Sequence, residues 1–130
     1  MKSSEIRKEA KEYFVPIILG NGSSARELAR RIYRKYGILS LILDEKGSLL
    51  QLLDPTNRFF RLTPAKSSAF TALQLLDLAS QMPYTLPLLI PCTDKYLKAV
   101  EENRELLESS FVISRAETVL SDSPLKIIPN

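Results

Sequence analysis

The sequence predicts a doubly wound α/β domain with a mostly parallel sheet of five strands. Three observations point there. Apolar runs of strand length alternate with stretches of helical spacing, turn residues punctuate the two, and the first runs flank a helix to make β-α-β in about 30 residues. Because each right-handed crossover lays a helix on one face of the sheet, both faces are covered, and the expected strand order is 3-2-1-4-5.

Ser3–Tyr13 is a charged segment that Ser4 is placed to cap as a short helix, a leader occupying residues 1–13 ahead of a domain at 14–130. Phe14–Leu19 is the first strand, with Pro16 better suited to a strand's beginning than to its middle. Gly20-Asn21-Gly22-Ser23-Ser24 is a turn, with Ser23 or Ser24 available as a cap, and Ala25–Tyr36 is a helix ended by Gly37. Ile38–Leu43 is the second strand, closed by Asp44-Glu45-Lys46-Gly47. Ser48–Leu53 reads as a short strand or as irregular chain, and Arg58–Leu62 as a short strand before Pro64. Ser67–Met82 is a helix in which Thr71, Gln74, Asp77 and Gln81 are the evenly spaced polar positions, so deep packing is expected of it. Leu86–Ile90 is the fourth strand, Asp94–Glu108 an amphipathic helix with Tyr96, Val100 and Leu107 inward, Phe111–Ile113 the last strand and Ala116–Leu120 a brief helix.

Composition narrows the chemistry. With 130 residues, 45% apolar and 25% charged, the chain fits one domain with a proper core. One cysteine, Cys92, allows no internal disulfide, and the absence of histidine leaves little material for a zinc site or a histidine-based triad. The longest apolar stretches fall far short of a membrane span and Met1–Lys11 is no export signal, so the cytoplasm is the default location and no membrane partner is expected. The net charge of +3 is unevenly spread: residues 1–36 carry nine basic and four acidic side chains, residues 37–130 nine and eleven. Arg26, Arg30, Arg31, Arg34 and Lys35 supply most of the excess on one helix. Amphipathic helices commonly carry such a solvated face, and nucleic acid is not the expected partner.

In a doubly wound sheet, ligands bind beyond the carboxyl ends of the strands where the winding reverses. That rule selects Gly20–Ser24 after the first strand and Pro91–Asp94 after the fourth, and places them side by side. Gly20-x-Gly22-x-x-Ala25 has the spacing of a dinucleotide fingerprint, with Asp44 at the end of the second strand to accept from a ribose. The same residues also suit another phosphate or anion, or a purely structural turn, and spacing alone leaves all three open. Around them, Asp94 is placed to cap the helix it opens. Cys92 reads as a small buried thiol rather than a nucleophile, Arg30 as solvated or paired to a neighbouring domain, and Tyr33 and Tyr36 as core or interface aromatics.

Two blocks carry a resemblance. Val15-Pro-Ile-Ile-Leu-Gly20, its turn, Leu28-Ala29-Arg30-Arg31-Ile32-Tyr33 and Tyr36-Gly37 resemble the opening of ATP-grasp carboxylate–amine ligases, the group that includes D-aspartate ligase-like and carbamoyl-phosphate synthase large-subunit-like proteins. Leu88-Leu89-Ile90-Pro91-Cys92-Thr93-Asp94-Lys95-Tyr96, with Asn103-Arg104-Glu105 and Phe111-Val112-Ile113, is similar to the fourth strand of those proteins and to the loop and helix after it. The resemblance spans most of residues 14–114. It implies an N-terminal, Rossmann-like pre-ATP-grasp domain that is not catalytic alone and binds no cofactor alone. Its partners are the C-terminal ATP-grasp domains, in cis or in trans, and ATP and magnesium belong to those later domains of the parent ligase. By the same resemblance, Gly20, Asn21, Gly22, Ser23, Ser24, Cys92, Thr93 and Asp94 line the substrate side of a larger site for a small molecule. The alternative is a small Rossmann-type module that binds NAD.

Overall fold

The computed structural model describes residues 14–47, 51, 53–82 and 85–121. The expected leader helix and the residues after Ser121 lie outside them, as does most of 48–53, where Gln51 is helical and Leu53 is in a turn. Five strands, β1 (Phe14–Leu19), β2 (Ser40–Asp44), β3 (Asn57–Arg61), β4 (Leu86–Pro91) and β5 (Val112–Ile113), form one sheet in the order β3-β2-β1-β4-β5. Every neighbouring pair is parallel. This is the expected class and strand order.

The helices are α1 (Ser23–Tyr36), α2 (Ser68–Ser80), α3 (Asp94–Glu102), α4 (Arg104–Glu108) and α5 (Ala116–Val119). Side-chain alternation along the central strands builds two cores. Ile18, Ile42, Leu88 and Ile90 meet Ala25, Leu28, Ala29 and Ile32 of α1 and Val119 of α5. On the opposite face Ile17, Leu19, Leu43 and Leu89 meet Ala72 and Leu75 of α2, Tyr96 and Val100 of α3 and Leu107 of α4. The winding therefore reverses between β1 and β4, as the strand order requires. Pro16 sits third in β1. It is tolerated there because β1 pairs with β4 from Phe14 onward but with β2 only from Ile17, so the missing N–H adjoins a stretch without a β2 partner.

Two expectations are corrected. The helix foreseen at Asp94–Glu108 breaks at Asn103, whose side chain donates to the Ala99 carbonyl at 2.8 Å and competes with the backbone ladder. Deep packing of α2 is also overturned. Only Thr71, Ala72 and Leu75 are buried, while Phe70 is 43% and Leu73 57% exposed. A helix laid on one face of a sheet presents one stripe to it, and apolar residues beyond that stripe remain at the surface whatever their number.

Candidate functional site

The loops after β1 and β4 meet at the carboxyl edge of the sheet. Gly20 N–H donates to the Leu43 carbonyl and Cys92 N–H to the Leu19 carbonyl, both at 2.8 Å, so strand pairing continues one residue into each loop. At Gly20 the chain turns with φ +112°, a conformation that favours glycine, and a Cβ built there would lie 2.7 Å from Thr93 Cγ2. The glycine therefore serves two ends: it makes the turn, and it lets the β4 loop close against the β1 loop.

Asn21 is the hub of the edge. Its backbone N–H donates to Asp44 Oδ2 at 2.8 Å, and its side-chain amide donates to the Lys46 carbonyl at 2.9 Å and to Gln51 Oε1 at 2.7 Å. Gln51 Nε2 returns a bond to Asn21 Oδ1. Asp44 Oδ1 accepts from its neighbour Glu45 N–H at 2.7 Å and from the Tyr96 hydroxyl at 2.8 Å. Both carboxylate oxygens of the expected ribose acceptor are thus engaged by the protein itself. Tyr96, 2% exposed, has its phenol pushed well above the usual range, first by burial and then by the adjoining Asp44.

Glu45 extends the network sideways. Its Oε1 accepts Ala65 N–H at 3.1 Å and pairs with Lys95 at 3.1 Å, and the Ala65 amide, then Lys95, holds its carboxyl below the usual range. The loop before α2 is also clamped by Gln74, which accepts from Thr63 N–H at 2.7 Å and donates to the Thr63 carbonyl at 2.9 Å.

Gly22, not Ser23 or Ser24, is the cap residue of α1. It is extended at φ −134°, offers no side-chain cap, and a Cβ there would meet nothing within 4 Å. Ser23 and Ser24 are the exposed first residues of α1, because the helix starts two residues earlier than its apolar spacing indicates. Thr93, not Asp94, caps α3: its hydroxyl accepts from Tyr96 N–H at 3.4 Å. Asp94 is the first helical residue, exposed, its charge favourable at a helix start. Cys92 is half-buried, with its thiol pushed up to about 11 by burial and secondarily by Glu117, so little thiolate exists near neutrality.

Away from the edge, Arg30 is paired within the chain, to Glu27 at 3.5 Å and Asp54 at 3.9 Å. Tyr36 packs edge-on to Phe14 and donates to the Val119 carbonyl at 2.8 Å, whereas Tyr33 is 42% exposed. No group of three histidine, cysteine or acidic side chains placed to hold a metal ion occurs among the described residues, and no helix among them is long and apolar enough to cross a membrane.

Sequence reasoning missed Gln51, the hold of Glu45 on Ala65 and Lys95 in place of a ribose, and the hydroxyl of Tyr96. The last had a signal: a tyrosine on the inward side of a helix needs a partner for its oxygen, and Asp44 ends the next strand but one. Gln51 had none, since its contact with Asn21 depends on the path of the chain between β2 and β3. No protein-family model matches the chain, and no curated protein matches it.

Proposed function

We propose that this domain is the substrate-side, N-terminal part of an ATP-dependent carboxylate–amine ligase of the ATP-grasp kind, not catalytic by itself. The observation that carries the reading is the contact of Gly20 with Thr93. The two segments with the resemblance are far apart in the chain, yet they pack as one surface at the carboxyl edge of a β3-β2-β1-β4-β5 sheet. That surface is built as a wall. Asn21, Asp44, Gln51 and Tyr96 bond to one another, which makes the edge rigid and leaves the chemistry to groups brought by another domain. The exposed apolar residues Phe70 and Leu73, one helical turn apart on α2, supply apolar surface for such a domain.

A dinucleotide module is the second reading, and the open space at Gly22 favours it. The engagement of both Asp44 oxygens weighs against it. Calorimetric titration with NAD and with ATP plus magnesium separates the two. The ligase reading expects no tight binding of either by this chain, and micromolar affinity for NAD would replace it with the module. The coding sequence past Asn130, or a neighbouring gene, should then supply a phosphate-gripping lysine and paired acidic metal ligands. If neither does, the ligase reading fails.

A further inference from the structure

A cavity of about 230 Å³ opens between residues 65–68 and the first turns of α3, on the sheet face opposite α1. Thr71 lines it. This residue is only 6% exposed, and its hydroxyl has no hydrogen-bond partner among the described residues. It does not even bond back to the Ser67 carbonyl, which accepts the Thr71 amide instead. The hydroxyl is not sealed off as Ser40 Oγ and Asn57 Oδ1 are, so on an otherwise buried residue it stays open to a partner in the cavity that the residue lines.

The other walls carry donors. Helix α2 has 13 residues and points its start at the cavity. Ser67 takes the Phe70 and Thr71 amides, while those of Ser68 and Ala69, in the first turn, have no acceptor inside the helix. Lys66, Lys95 and Lys98 line the opening with Glu102, and of the three Lys95 is already paired with Glu45 while Lys98 lies 4.0 Å from Glu102. Glu45 lies behind and fixes both the Ala65 backbone and Lys95, so the walls are held before any ligand arrives.

We propose that this cavity binds a phosphate group, either free or carried on a short-chain metabolite. Donors converge from three directions: amides at the helix start, a hydroxyl from the floor and ammonium groups from α3. Such a set suits a tetrahedral dianion better than the two oxygens of a carboxylate. The volume, below the roughly 300–1,000 Å³ of sites for drug-sized ligands, is too small for a nucleotide. Glu102 is the resident competitor. Its Oε2 accepts the Ser68 hydroxyl at 2.6 Å and its Oε1 lies 4.0 Å from Lys98, and at 48% exposure its side chain is free to swing out. The cavity keeps these donors whether or not the domain belongs to a ligase.

The test is a titration monitored by amide NMR, with inorganic phosphate and glycerol phosphate as probes and sodium chloride at matched ionic strength as control. Saturable shifts at Ser68, Ala69 and Thr71 with the phosphates, absent with chloride, are expected. Thr71→Val should weaken binding about tenfold, the loss of one hydrogen bond to a charged ligand. Lys98→Gln, on an exposed side chain, should also weaken it and serves if the first variant does not fold. Glu102→Gln should strengthen it. Tighter binding of glycerol phosphate assigns the site to a phosphorylated metabolite, and equal or tighter binding of inorganic phosphate assigns it to the free ion. Shifts that do not saturate, that spread over all the lysines alike, or that ignore these substitutions would overturn the proposal.

Discussion

Replacing Gly20 by alanine tests the geometry on which the site rests. Two penalties add. Holding an L-residue at φ +112° costs about 1–3 kcal/mol, and a Cβ 2.7 Å from Thr93 Cγ2 overpacks the loop at a further cost of roughly 1–3 kcal/mol. The expected loss is thus about 2–6 kcal/mol, a large part of a typical domain's stability. The two parts can be separated. Thr93→Ser removes the clashing methyl but keeps the oxygen that caps α3, and the other Thr93 atoms lie at 3.5 and 3.6 Å, ordinary contact distances. In the Gly20→Ala background it should restore about 1–2 kcal/mol, whereas alone it should cost less than about 1 kcal/mol. Gly22→Ala, extended and facing open space, should cost no more than about 1 kcal/mol, the weaker cap being its only handicap. Urea unfolding of the four variants gives the cycle. A Gly20→Ala loss under about 0.5 kcal/mol, or strict additivity with Thr93→Ser, would show that the loops do not abut as described.

Further outcomes rest on the hydrogen bonds and titrations. Tyr96→Phe leaves Asp44 Oδ1 one donor short and should cost about 1–3 kcal/mol in urea unfolding. Cys92 titrates higher folded, at about 11, than its ordinary 9.0, so its contribution to stability is complete below pH 9 and is lost as pH rises toward 11. Tyr96 has the same sign, and the alkaline fall of the unfolding midpoint should shrink in Tyr96→Phe. At pH 8 the native thiol should react with a disulfide reagent about 100-fold more slowly than in urea, from the two-unit difference in thiolate fraction. Glu45 has the opposite sign: its lowered carboxyl contributes above pH 4.5 and the contribution fades as pH falls below it, so Glu45→Gln should flatten the acid limb of a stability–pH curve.

Strands were more legible than surfaces. β1, β2 and β4 announce themselves because a parallel strand buried on both faces is apolar almost throughout, as in Ile17-Ile18-Leu19 and Leu88-Leu89-Ile90, whereas the edge strand β3, with Arg58 and Arg61, shows only Phe59 and Phe60. The meeting of the two loops was equally legible, since strand order alone dictates it. What escaped depends on competition between near-equal local choices. Thr93 and Asp94 both cap well, and only backbone direction decides that Thr93 accepts from Tyr96 while Asp94 enters the helix. Asn103 is helix-compatible by position, yet its side chain bonds the Ala99 carbonyl and divides the helix. Asp44 carried the right chemistry for a ribose. Its neighbours Asn21, Glu45 and Tyr96, 23, 1 and 52 residues away in sequence, took that chemistry for the fold.

The apolar surface of α2 yields the last prediction, and it separates stability from association. Leu73 is 57% exposed and Phe70 43%, so neither closes the core that Ala72 and Leu75 complete. Leu73→Ser should therefore change the stability of this chain by no more than about 0.5 kcal/mol, as surface substitutions do. If α2 is the face that meets ATP-grasp domains, the same change removes apolar area from an interface, and Phe70→Ser adds to the loss. The double variant should then fold normally and yet fail to activate the ligase domains when mixed with them. A stability loss of several kcal/mol would mean that α2 is packed more deeply than its exposure indicates, and undiminished activation would move the docking face elsewhere.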